Sequence, residues 1–301
     1  MLERSAPVSC RTPLAIPVDA VVAERVAVRI GRMAIRSLYR EAVLAPKPGL
    51  VSPSSQGSHR DMDFSTFVRS LQSLRSYFPA IAACGQRRPG FAPLRVLGID
   101  AEAGMLEATG GVNTHRGAIF NLGLLCAAAG KLVADGETPA AAATCSAVKM
   151  CWGAEIRDGL ATLPGAAQLS HGLVVAQRYG SGGARQEAAS GFPAALELGL
   201  PAYRSVLAAT GDGELAALQA LFALIAEVDD SNLLWRGGRA GLVYGRRAAT
   251  EFLAAGGVFA SDWRDYAEAI DRDFIARHLS PGGSADLLGV TLFLAELDGW
   301  V

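Results

Sequence analysis

The sequence has little of what marks an extracellular framework, a zinc centre or a nucleic-acid binder. Its five cysteines are odd in number, widely spaced and contain no CxxC pair, which fits neither a disulfide framework nor a zinc site. A reducing cytoplasm is the expected setting. Charge of one sign is not in excess: the formal net charge is -1 and charged residues make up 19%, so no global field draws the chain to DNA, RNA or an anionic membrane surface. The N-terminal stretch carries Glu3, Arg4 and Arg11 among Pro7, Pro13 and Pro17 in place of a continuous apolar signal core. Residues 1–17 are expected to be a flexible tail. The uncharged stretch 159–177 is interrupted by Pro164, Gln168, Ser170 and His171, and the apolar run Ala118–Gly130 covers only 13 residues, short for a membrane span and suited to a buried helix.

Strand-like alternation is also scarce, with Leu173–Val175 the one β-like run. Internal repeats, low-complexity linkers, zinc-ligand spacing, a nucleophile elbow, a Walker A loop and a dinucleotide fingerprint are all absent. What is present is helical periodicity. Phe64, Phe67, Val68, Leu71, Leu74 and Phe78 recur at three- and four-residue spacing, as do Leu215, Leu218, Leu221, Phe222, Ile225 and Val228, and Ile30, Met33, Ala34 and Leu38. With 301 residues and 50% hydrophobic content the chain can bury a sizeable core. These features predict an all-α fold: one multi-helix domain over residues 18–301, with glycine-rich loops lining one site.

The 34 glycines gather in polar clusters between the apolar segments. Thr109–Gly117 and Gly282–Asp286 lead directly into apolar helices. Glycine-rich helix N-termini expose amide N–H groups and suit phosphate, which makes Gly110, Gly111, Asn113, Thr114, Gly282, Gly283 and Ser284 candidate phosphate contacts. Helix capping by Asn113, Thr114 or Ser284 explains the same residues. Lys47, held between Pro46 and Pro48, is expected to present a cation from a rigid loop, and Arg185 and Arg236 suit phosphate oxygens. Asp61, Asp63, Glu187, Asp229, Asp230 and Asp286 share these clusters, and hard oxygen donors suit Mg²⁺. Asp61, Asp63 and Asp286 can equally be N-caps. His59, His115 and His171 lie in or beside the clusters and can move a proton near neutrality.

Together the segments Ala45–Val51, Ser58–Asp63, Thr109–Gly117, Gly191–Phe192–Pro193 and Ser280–Leu288 resemble, in order, the signature of the triphosphoribosyl-dephospho-CoA synthase family. The resemblance spans roughly residues 25 to 298. Asp230–Ser231–Asn232 departs from an expected Asp-Thr-Asn but keeps the hydroxyl. The resemblance implies a transferase that joins the triphosphoribosyl group of ATP to the 2′-hydroxyl of 3′-dephospho-CoA and expels adenine. A separate holo-acyl-carrier transferase would then attach the product to the acyl-carrier subunit of malonate decarboxylase or citrate lyase, with the wording around His59 favouring the former.

On this reading Mg²⁺ would be held by some of Asp61, Glu187, Asp230 and Asp286, with Lys47, Arg185 and Arg236 completing a polyphosphate clamp. His59 or His115 would transfer the proton, with Glu41 or Asp61 as carboxylate alternatives. An all-α Mg-dependent N-glycosidase or nucleotide hydrolase is the rival enzyme reading, and a non-catalytic assembly factor the rival outside catalysis. Assembly into a homo-oligomer is open.

Overall fold

The computed structural model describes residues 18–161 and 171–300; the expected tail lies outside them. Among the described residues the chain forms thirteen α-helices, and its one β feature is an isolated bridge between Ser52 and Ser55. The first helix, α1 (Val18–Val43), buries Ile30, Met33, Ala34 and Leu38 on one face. Asp63 then starts α2 (Phe64–Ser73), its carboxylate accepting the Thr66 amide at 2.8 Å while Thr66 answers the Asp63 amide, a reciprocal cap. The periodicity from Phe64 to Phe78, which reads as one helix, is divided between α2 and α3 (Tyr77–Gly85). Pro79 has no N–H to donate to the Arg75 carbonyl, but it is tolerated in the first turn of a new helix.

After α4 (Phe91–Ala108) comes the central α5 (Arg116–Ala134), in which thirteen residues are buried. It extends the apolar run to 19 residues, long and apolar enough to cross a membrane, yet 72% of its apolar window is buried inside this fold. Glycine makes that burial close. A Cβ on Gly85 of α3 would strike the Ala127 backbone of α5, and one on Gly130 of α5 would strike that of Ala82, so both helices approach at backbone distance.

α6 (Ala141–Ala161), α7 (His171–Tyr179) and α8 (Gly183–Ser190) follow, and the β-like run at Leu173–Val175 is part of α7. One π-helical turn, Ala195–Gly199, leads into α9 (Leu200–Thr210). α10 (Gly213–Glu227) and the last helix, α13 (Gly282–Leu297), are apolar on nearly every face and pack with α1 and α5 into the core. Between them lie α11 (Ser231–Ala254), kinked at Gly238 where φ is 58°, and α12 (Trp263–Ala276), an amphipathic cover. The arrangement brings the N-terminal turns of α5, α8, α11 and α13 to a single cleft.

Candidate active site

The cleft has a volume of about 1830 Å³. Glu41, Lys47, His59, Asp61, Asn113, Thr114, His115, Arg185, Glu187, Asp230, Arg236, Gly282, Gly283 and Asp286, spread over some 250 positions of sequence, all lie on its walls. Gly110, Gly111 and Ser284 are outside that lining, for reasons visible in their hydrogen bonds. The Gly111 amide donates to Leu106 O at 2.7 Å and the Gly110 amide to Glu107 O at 3.3 Å. Both glycines have positive φ, so they close the C-terminus of α4 and offer no amide to a phosphate. Ser284 is wholly buried, and its amide and hydroxyl both donate to Asp230 Oδ2, at 2.7 and 2.9 Å.

Asp230 is correspondingly occupied. Its Oδ1 accepts the amides of Asn232 and Leu233 at 2.9 and 3.2 Å and caps α11. With Oδ2 on Ser284, four donors fill the four lone-pair positions of the carboxylate. Asp230 therefore welds two helix N-termini together, which differs from the metal-ligand part expected of it. Asp63 also caps, whereas Asp61 does not: its side chain is 64% exposed at the rim, with Oδ1 3.8 Å from His59 Nδ1.

At the floor, Lys47 is turned inward and does not project. It is 2% exposed, and its ammonium donates to Glu41 Oε1 and to Glu41 O, both at 2.7 Å. Asp286 sits nearby against Gly117, where any Cβ would collide with its carboxylate, and it accepts the Ala118 amide. Burial, then the charges of Glu41 and Asp230, push its pKa well above the ordinary carboxylate range. Among the described residues no salt bridge reaches Asp286, and no three His, Cys, Asp or Glu side chains are grouped closely enough to cage a metal.

The two candidate histidines differ in what their nitrogens do. Arg236 donates to His59 Nδ1 at 3.1 Å and to the carbonyls of Ser58 and His278 at 3.0 and 3.3 Å. A guanidinium has no acceptor, so the His59 proton resides on Nε2, facing Ser280 Oγ at 3.0 Å. Both nitrogens are engaged; burial first and Arg236 second push the His59 pKa down to about 4. His115 is 2% exposed, with Nδ1 2.6 Å from Ser70 Oγ and its ring edge-on to Phe67. Its Nε2 has no hydrogen-bond partner among the described residues, and burial followed by the charge of Lys47 pushes its pKa down to about 3.

Arg185 is half-buried at the start of α8, which has no side-chain cap, and it feels the charge of Arg95 from α4. Glu187 accepts the Ala194 amide at 3.2 Å, and burial raises its pKa. Sequence reasoning missed Arg95, an ordinary surface arginine in the sequence, and Asn121. Its signal was the single amide interrupting the apolar run 118–130.

Comparison with known proteins identifies the family. The family model described as ATP:dephospho-CoA triphosphoribosyl transferase matches residues 27–301. A probable 2-(5''-triphosphoribosyl)-3'-dephosphocoenzyme-A synthase of Acinetobacter calcoaceticus is 44% identical over 272 residues, covering 90% of this chain and 92% of the relative. The corresponding synthase of Klebsiella pneumoniae is 43% identical over 267 residues, 86% of this chain and 88% of its own, and a probable synthase of Vibrio cholerae is 37% identical with 89% and 88% covered. No solved structure matches the chain. With the match running from α1 to the C-terminus, the chain belongs to the ATP:dephospho-CoA triphosphoribosyl transferase family.

Proposed function

We propose that the chain transfers the triphosphoribosyl group of ATP to the 2′-hydroxyl of 3′-dephospho-CoA, releasing adenine. The observation that carries this reading is the meeting of four helix N-termini in one cleft of about 1830 Å³. Their dipoles favour polyphosphate, α8 starts without a side-chain cap whereas Asp230 holds amides of α11 and α13, and the volume exceeds that of a single-ligand pocket. The relatives' names describe a synthase of the triphosphoribosyl-dephospho-CoA product.

In this reaction the 2′-hydroxyl oxygen bonds to C1′ of the ATP ribose as the C1′–N9 bond breaks, adenine takes the bonding electron pair and a proton, and the triphosphate stays on the sugar. Bond breaking runs ahead, so the attacking oxygen becomes an oxonium, a far stronger acid than an alcohol. A weak base then suffices. His115, neutral and with Nε2 unpartnered, accepts that proton. His59, with both nitrogens engaged, orients the rim through Arg236 and Ser280.

Of the candidate carboxylates, Asp286 suits a Mg²⁺ shared with substrate phosphates. Among the described residues Asp286 is a buried carboxyl crowded by two others and reached by no salt bridge, and this ion needs few protein ligands when phosphates and water supply the rest. Bound there, Mg²⁺ would neutralise the triphosphate. Arg185 and Arg236 add fixed positive charge from the cleft lining. The four described cysteines are free thiols, in keeping with a reducing cytoplasm. The product is the prosthetic-group precursor for the acyl-carrier subunit of malonate decarboxylase or citrate lyase, attached by a separate transferase.

The test is incubation of purified protein with ATP, Mg²⁺ and 3′-dephospho-CoA, following bases by chromatography and the adduct by mass. Expected is free adenine with one adduct, no stoichiometric ADP or pyrophosphate, and no adenine release without dephospho-CoA. Adenine release from ATP alone would instead establish the nucleotide-hydrolase reading.

A further inference from the structure

Asn121 lies on α5 one turn beyond Gly117, the glycine against which Asp286 rests. Residues four apart share a helix face. It lines the cleft, its relative exposure is 0%, and among the described residues neither its amide oxygen nor its amide nitrogen has a hydrogen-bond partner. A primary amide buried without partners is destabilising, and an apolar residue there would extend the buried run of α5. The cleft lining also includes Phe120 and Leu124 of the same helix. The amide is thus an unsatisfied polar group on the face of α5 that also carries Gly117 and Leu124.

We infer that Asn121 reads the edge of an adenine ring, its oxygen accepting from the 6-amino group and its nitrogen donating to the adjacent ring nitrogen. A primary amide offers a donor and an acceptor side by side in one plane, and the adenine edge presents their complement. A phosphate has acceptors alone and would leave the amide oxygen unpaired. The inference rests on the reading that the cleft takes ATP and dephospho-CoA, each of which carries an adenine.

The experiment compares ATP with inosine triphosphate, which has the same triphosphoribosyl group but a 6-oxo base, in the wild type, Asn121→Leu and Asn121→Asp. If the ring belongs to ATP, the wild type prefers ATP and Asn121→Leu lowers the ATP-over-ITP ratio of kcat/KM by roughly ten- to a hundredfold, the discrimination a bidentate base contact gives. If it belongs to dephospho-CoA, that ratio holds and KM for dephospho-CoA rises by a similar factor. An unchanged ratio together with an unchanged KM for dephospho-CoA overturns the inference. So does an equal fall for both triphosphates. Tm without nucleotide supplies the structural control: replacing an unpaired amide by an isosteric apolar side chain holds or raises it, and a marked fall in both variants would assign Asn121 a structural part instead. Should the wild type release base from neither nucleotide, the transferase reading fails on its own. The inference is then decided by whether ATP raises Tm more than ITP in the wild type and equally in Asn121→Leu.

Discussion

The ammonium of Lys47 lies 2.7 Å from both the carboxylate and the main-chain carbonyl of Glu41, with the two residues 2% and 5% exposed. A lysine between two prolines looks like a presented cation, yet this one neutralises the last turn of α1 from beneath the cleft. Burying both charges is tolerable because they satisfy each other, and removing one strands its partner. Lys47→Met should lower unfolding free energy by about 3–5 kcal/mol, while Lys47→Met with Glu41→Leu should recover most of that loss. Urea unfolding of the two single variants and the double variant measures it. Additive losses would show that the pair is not coupled.

Gly117 makes room for the Asp286 carboxylate, and Gly117→Ala would force that carboxylate aside. The obstacle is the mobile end of a side chain, so the fold should survive with about 1 kcal/mol or less lost, whereas adenine release should fall by about tenfold or more if Asp286 supports the transferred phosphates. Asp286 also has a pH signature. Its folded pKa is raised, so above pH 3.8 the folded state holds a proton that the unfolded state has lost, and stability falls as pH climbs towards the raised value. In chelator-treated protein, Asp286→Asn should flatten that decline. Parallel curves for variant and wild type would contradict the burial argument.

The histidines predict the opposite slope. His59 and His115 have folded pKa values pushed down to about 4 and about 3, so between pH 6.5 and 4 the unfolded chain binds protons that the folded chain refuses. Stability should therefore drop as pH falls through that window, and His115→Asn should reduce the drop. In kinetics, kcat between pH 5 and 8 should carry no inflection from His115, because it stays neutral throughout. His115→Ala should lower kcat with KM for ATP nearly unchanged, whereas His59→Ala, which frees Arg236, should raise KM. An inflection near pH 6.5 that vanishes in His115→Ala would mean the imidazole is solvated.

Much of this architecture was legible because helical periodicity and glycine clusters are local signals. The buried faces of α1 and α10 fall where the spacing of Ile30 to Leu38 and Leu215 to Val228 puts them, and the polar clusters mark the helix starts that meet in the cleft. What could not be read is how each polar group is spent. Asp230 and Ser284 belong to clusters suited to metal and phosphate, but they are 54 positions apart and satisfy each other across two helix ends. Gly110 and Gly111 look like a phosphate turn, and only the course of α4 shows their amides closing it. Asn121 is a single polar residue in an apolar run, and its unpaired state exists only in three dimensions.

Arg95 and Arg185 extend the same lesson, since two guanidinium groups from α4 and α8 face one cleft and repel each other. Arg185 Nη1 lies 3.4 Å from Gly159 O, and burial with Arg95 pushes its pKa below the ordinary arginine range. Like charges held together in a cleft are relieved by an anion that bridges them. Arg185→Ala and Arg95→Ala should each raise KM for ATP by about tenfold, the worth of a charge-assisted contact, with kcat changed by about twofold or less, as for a contact equal in ground and transition states. Inorganic triphosphate should raise the Tm of the wild type and lose most of that effect in either variant. A KM change confined to dephospho-CoA would move the pair to the pyrophosphate of the second substrate, and a fall in kcat alone would mean that these arginines grip only once the ribose has begun to depart from adenine.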